Sequence, residues 1–252
     1  MKVHLVPALG SLPVASLRPE HIQHYYTEAL ASGRRDGKSG LSGLTVRKHH
    51  MVLHKALGFG LKHGMLTRNP CDGVDPPRGR SKKLTILEPD ELQLILNVAK
   101  ETPYYALFFT LAYTGMRRAE AMAIRWADID WDTSILSVRQ TVQQLRNGEY
   151  IFKEPKTEHS RRSIALSPSL VIELWEHRIK QEHARSLLGK PLEPRNLVFS
   201  HPDGRPFRPN TVTRAFKTIA ESVGLKSLRL HDLRHFHATV LLQQNVHPSI
   251  VK

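Results

Sequence analysis

The chain has 252 residues, enough for one large domain or two ordinary ones, and its 40% hydrophobic content suits a packed core. With 37 Lys and Arg against 23 Asp and Glu it carries a formal charge of +14 and a pI near 10.1, which favours a polyanionic partner, nucleic acid first. Its single cysteine, Cys71, excludes an internal disulfide and a cysteine-built zinc site, and the lack of a long apolar run or a signal-peptide profile predicts a soluble, cytoplasmic protein away from membranes.

Positive charge is concentrated early: residues 1–84 hold 14 Lys and Arg against 5 Asp and Glu. Pro19 to Ala31 predicts a helix, with Pro19 suited to a first turn and Ile22, Tyr25, Tyr26, Ala29 and Leu30 at helical spacing. Gly37 to Gly43 reads as a loop. Ser42 then caps a second helix in which Val46, His50, Leu53, Leu57 and Gly60 share a face, and Gly64 stops it after His63. From Asn69 to Lys83, prolines, glycines and cations predict an extended connection. These signals divide the chain into a helical unit over 1–75, a basic linker over 76–84 and a larger unit over 85–252.

In the larger unit, Pro89-Asp90-Glu91 opens a helix with acidic residues in its first turn, where the helix dipole favours them. Tyr104 to Tyr113 predicts a buried apolar helix ending at Gly115. Strands follow: Ser134 to Gln143, then Tyr150 to Lys153 across an Asn147-Gly148 turn, then Ser160 to Leu166. Helices resume from Pro168, from Pro209 and from about His231. The fold class predicted is mainly α with a small three-stranded antiparallel sheet, α+β.

Two arginine sites stand far apart, in Thr114-Gly-Met-Arg117-Arg-Ala-Glu120 and Leu230-His231-Asp-Leu-Arg234-His235. Fixed guanidinium groups suit a reacting phosphodiester, because they stay charged and fork onto two oxygens. Arg117 sits at the start of a short helix with Glu120 one turn later, placed to orient it. His231 and Arg234 are three apart and share a helix face, and the histidine is able to donate to a phosphate oxygen or move a proton. Lys156, between the second and third strands, is placed to protonate a leaving alkoxide. An isolated arginine at a helix surface, or a cation in a basic loop, has no such role by default; order and spacing carry the reading.

The three segments Thr-Gly-Met-Arg-Arg-Ala-Glu, Pro155-Lys-Thr-Glu-His-Ser-Arg161-Arg and Leu-His-Asp-Leu-Arg-His resemble, in that order, the boxes of the tyrosine recombinase (phage integrase) family. Gly40 to His50 and Gly64 to Pro70 resemble its helical core-binding domain, so the resemblance covers nearly the whole chain. It implies a core-binding domain over 1–75 and a catalytic domain over 85–252. The implied catalytic residues are Arg117, Lys156, His231 and Arg234, supported by Glu120. It further implies a clamp on double-stranded DNA and strand transfer through a 3′-phosphotyrosyl intermediate, with no metal or nucleotide cofactor, in a protein of a mobile element. Further DNA-binding candidates are Arg47, Lys48 and Lys55, chosen by charge and helix face, the linker cations Arg80, Lys82 and Lys83, and Arg161 of the basic segment between strands.

The sequence departs from the family after His237. The tyrosines, at 25, 26, 104, 105, 113 and 150, all precede His231. The expectation is a chain truncated before its nucleophile and clipped at its start, binding DNA without cleaving it. Off DNA it is expected to be a monomer, with impaired tetramer assembly. A non-catalytic DNA-binding regulator or accessory protein stands as the alternative, ahead of an RNA-binding protein. His50 and His54 are four apart but have no third ligand at motif spacing, which disfavours a metal enzyme.

Overall fold

The computed structural model describes residues 3–79, 87–154 and 162–247, which fall into two compact units, 1–83 and 84–252. The first unit contains helices α1 (Leu5–Leu9), α2 (Pro19–Ser32) and α3 (Gly43–Lys62) and a single-turn 3-10 helix over Pro70–Gly73. Local chemistry sets these bounds. Proline occupies the first turn of α2, the Ser42 hydroxyl accepts the Thr45 N–H at the start of α3, and Gly64 follows α3 with φ of 71°. Ile22, Tyr25, Tyr26 and Ala29 of α2 meet Val46 and Leu57 of α3 in one core. Leu30, read at the same helical spacing, is exposed, because the buried stripe of α2 ends at Ala29.

The segment from Asn69 corrects the expectation of an extended connection. Asn69 donates its side-chain amide to the His54 carbonyl (3.1 Å) and accepts the Cys71 N–H (3.1 Å). That local cap turns Pro70–Gly73 inward, burying Cys71 and Val74 in the core of the first unit. Beyond Val74 the chain has no regular secondary structure as far as Gly79.

Two tyrosine–histidine pairs tie α2 to α3: the Tyr25 hydroxyl to His49 Nδ1 and the Tyr26 hydroxyl to His50 Nδ1, both at 2.7 Å. Burial, then the neighbouring His4, lowers the pKa of His49; burial, then His54 and Arg47, lowers that of His50. Burial likewise depresses His177 and His237 in the second unit. A depressed folded-state value means that the unfolded chain takes up the proton first. This stability is therefore full above the unfolded histidine value of about 6.5 and is lost as pH falls through the folded values. Denaturant midpoints are expected to drop between pH 7.5 and 5.5, with less drop in a His49→Asn/His50→Asn variant. A flat or rising midpoint would contradict it.

The second unit begins with α4 (Pro89–Ala99) and α5 (Tyr105–Thr114), followed by the four-residue α6 (Arg118–Ala121). Strands β1 (Ile129–Asp130), β2 (Ile135–Val138), β3 (Thr141–Gln144), β4 (Tyr150–Lys153) and β5 (Arg162–Ala165) come next, then α7 (Pro168–Ser186), α8 (Pro209–Ser222) and α9 (Asp232–Gln243). Helix α5 is apolar all round and packs against α4, α6, α7 and α9; Leu107 and Phe108 are fully enclosed, and Phe108 meets Phe216 of α8 edge to face. No helix among the described residues is long and apolar enough to cross a membrane.

The antiparallel three-stranded sheet is present, with a different membership from the one expected. Its order is β1-β2-β5, and β3 pairs with β4 in a separate two-stranded ribbon. The single strand expected over 134–143 is broken at Arg139-Gln140, where the Gln140 amide donates to the Ala123 carbonyl (2.8 Å) and redirects the chain. The Asn147-Gly148 turn closes the ribbon, with Gly148 at φ of 91° and the Leu145 N–H donating to the Glu149 carbonyl (2.7 Å).

Candidate active site

The site is built where α5 ends. Gly115 closes that helix in the left-handed region, φ of 59°, its N–H donating to the Leu111 carbonyl. The chain then passes through the buried Met116 to Arg117 and α6. Glu120, only 3% exposed, accepts at Oε1 from Arg117 Nη1 (2.9 Å) and at Oε2 from the Arg117 N–H (2.9 Å) and Arg162 Nη2 (2.8 Å). Burial alone would raise the Glu120 carboxyl, but the hydrogen bonds from Arg162 and Arg117 outweigh it and hold the group below the usual glutamate value. The carboxylate is therefore ionised at neutral pH.

Arg234 arrives from α9, its Nη1 donating to the Gly115 carbonyl (2.5 Å). Burial, then the charges of Arg117 and Arg162, lower its pKa, although a guanidinium remains charged in protein. Arg117 and Arg162 thus share Glu120 as their counter-charge, and Arg234 stands close enough to feel the charges of all three. Such an excess of fixed, partly desolvated positive charge favours an anion with several oxygens.

His231 stands at the N-terminal boundary of α9, with His235 edge-on at 5.2 Å. Burial, then His235 and Arg234, push its pKa down, so it is neutral at pH 7 and available to donate or accept a proton. His231 opens on a cleft of about 390 Å³ with Arg118, Thr213 and Arg229, whereas Arg234 lines one of about 330 Å³ with Tyr113, Arg162 and His237. The start of α9 is pinned by the buried Asp232, which accepts from the Arg229 N–H and Nη2, each at 2.8 Å. Arg118 fixes α6 to α8 by donating to the Pro209 carbonyl (3.0 Å) and the Thr213 hydroxyl.

Of the candidate catalytic residues, the fold brings Arg117, Glu120 and Arg234 together and leaves His231 one helical turn from Arg234. Lys156, Arg161, Arg80, Lys82 and Lys83 lie outside the described residues. Arg47, Lys48 and Lys55 are exposed on α3, interleaved with exposed Met51, Val52 and Phe59. Tyr113 is 38% exposed with its ring stacked on Phe109, centroids 4.3 Å apart. Arg162 is the residue that sequence reasoning passed over in favour of Arg161. The signal was present: strand alternation places Arg162 on the same face as Ile164, the face turned towards the core.

The second unit is thus an α+β fold carrying an anion-seeking arginine cluster. The chain belongs to the phage integrase family, whose model matches residues 85–252. It is 28% identical over 211 residues to the ICEBs1 integrase of Bacillus subtilis (strain 168), covering 82% of this chain and 56% of that one. It is 26% identical over 255 residues to a XerC-like tyrosine recombinase of Caldanaerobacter subterraneus, covering 94% and 63%. The chain therefore spans rather more than half the length of these relatives. In fold it is similar to the Tn1549 transposon integrase solved with transposon right end DNA (TM-score 0.79, 20% identity, 96% of this chain and 78% of that one). It is also similar to the lambda integrase dimer bound to a COC′ core site (TM-score 0.66, 18% identity, 98% and 81%).

Proposed function

We propose that the chain is the DNA-handling part of a site-specific recombinase. In this reading Arg117 and Arg234 grip the non-bridging oxygens of one phosphodiester in duplex DNA. Glu120 orients Arg117, neutral His231 shares in the phosphate contact, and Lys156 serves as the proton donor to the leaving 5′-oxygen. The first unit, residues 1–75 with the linker 76–84, acts as the core-binding half of a clamp. Arg47, Lys48 and Lys55 on α3, Arg80, Lys82 and Lys83 after it, and Arg161 add backbone or base contacts. The clustering of Arg117, Arg162 and Arg234 around the single buried Glu120 carries this reading, because that excess charge is matched by a phosphate.

The full reaction needs a tyrosine oxygen to attack phosphorus, forming the 3′-phosphotyrosyl bond as the bond to the 5′-oxygen breaks. Tyr25 and Tyr26 are committed to His49 and His50, burial raises the Tyr105 hydroxyl to about 12, Tyr113 lies flat on Phe109, and Tyr104, edge-on to Phe207, and Tyr150 line a different cleft from Arg234. Residues 1–252 by themselves are accordingly expected to bind DNA and not to cleave it.

Fluorescence anisotropy with a short DNA duplex tests the reading. Binding should weaken steeply with salt, and Arg117→Ala should cost roughly 10- to 100-fold in affinity, the worth of one charge-assisted contact. The variant's slope of log affinity against log salt should be shallower by about 0.9. Unchanged affinity in Arg117→Ala, or a preference for an A-form RNA duplex, would sink the phosphate assignment. A covalent protein–DNA adduct formed by residues 1–252 would sink the no-cleavage half.

A further inference from the structure

We propose that Arg162 is a positioning residue for the phosphate site: by holding one oxygen of the buried Glu120 carboxylate it fixes the guanidinium of Arg117, and it acts on phosphate through Arg117 rather than by touching it. This rests on the phosphate-binding reading above.

The geometry of the shared carboxylate is the first support. Oε1 serves only the Arg117 guanidinium among the bonds of this cluster, while Oε2 is held by Arg162 Nη2 (2.8 Å) and the Arg117 N–H (2.9 Å). A carboxylate anchored at one oxygen by two donors has its second oxygen fixed in direction, and that direction sets where the Arg117 guanidinium points. Without Arg162, the Arg117 N–H alone anchors Oε2, and the carboxylate is freer to rotate.

Exposure separates the two arginines. The Arg117 side chain is 57% exposed and the Arg162 side chain 23%, so Arg117 is the more open of the two to an arriving ligand. Arg162 is a sheet residue, paired with Val138 in the antiparallel β2–β5 ladder, whereas Arg117 sits in the short turn between Gly115 and α6. A group carried by a sheet holds its position more accurately than one carried by a turn. Burial of Glu120 adds a cost that Arg162 offsets, since its hydrogen bond is the largest influence keeping that carboxyl ionised.

A double-mutant cycle on affinity for a short DNA duplex separates positioning from direct contact. Arg162→Gln is expected to weaken binding on the order of tenfold, and to have no further effect in an Arg117→Gln background. The single variant should also lose affinity between pH 7.5 and 5.5 more steeply than the wild type, as Glu120 becomes easier to protonate. That extra pH dependence should vanish in Arg162→Gln/Glu120→Gln. A role confined to holding the fold would shift the melting temperature without either signature. Arg162→Lys, which keeps the charge and one donor, should recover most of the affinity, and Arg162→Met replaces Gln in the cycle if the Gln variant does not fold. Additive losses would overturn the proposal by making Arg162 a direct DNA contact. Wild-type affinity in both Arg162 variants, with Arg117→Gln still impaired, would overturn it while leaving the phosphate reading intact. No loss in Arg117→Gln would overturn that reading itself, and the proposal with it.

Discussion

Glu120→Ala is expected to lower the unfolding free energy by about 3 kcal/mol, the lower end of what removing one partner from a buried ion pair costs. The lower end applies because Arg117 is 57% exposed and regains water when its partner goes; Arg162, at 23%, does so less. The loss should be larger in the second unit than in the first, and chemical denaturation followed through Trp126, Trp131 and Trp175, all beyond residue 84, reads it directly. Duplex affinity should fall as well, because the Arg117 guanidinium loses its anchor. A variant as stable as the wild type would mean that Arg117 and Arg162 do not depend on this carboxylate.

Gly115→Val is expected to cost about 2–5 kcal/mol, from the left-handed backbone and from overpacking together. Gly115 sits at φ of 59°, and a Cβ there would lie 2.6 Å from Cδ2 of His237. Relief requires the His237 ring, or α9 that carries it, to move away from α5, and α9 also carries Arg234, whose guanidinium bonds the Gly115 carbonyl. The substitution should therefore reduce DNA affinity beyond what the fraction of unfolded protein explains. Gly115→Ala should show the same two losses at smaller size. If Gly115→Val keeps wild-type affinity in the folded fraction, the Gly115–Arg234 contact has no part in binding.

The arginines at 117 and 234 were singled out in the sequence by the order and spacing of the segments that hold them, since neither neighbourhood is informative alone. Arg162 was not, since an arginine beginning a short strand reads as solvated unless its partner is known. That partner, Glu120, is 42 positions away. The inward turn at Pro70–Gly73 was missed for a similar reason. Proline, glycine and charge describe a break in regular structure but not whether the broken segment finds a core to enter.

By itself the sequence determined where several helices begin and where two of them end. Proline opens α2, α4, α7 and α8, and Gly64 and Gly115 take positive φ where α3 and α5 stop. Those are steric and hydrogen-bonding rules acting within a few residues, so they are readable without the fold. The tertiary structure decided which strands pair, that Gln140 breaks the expected long strand, and that Glu120 serves two arginines from separate elements. These depend on partners brought near by burial of a common core, and the partner of a polar group is fixed only once that core has packed.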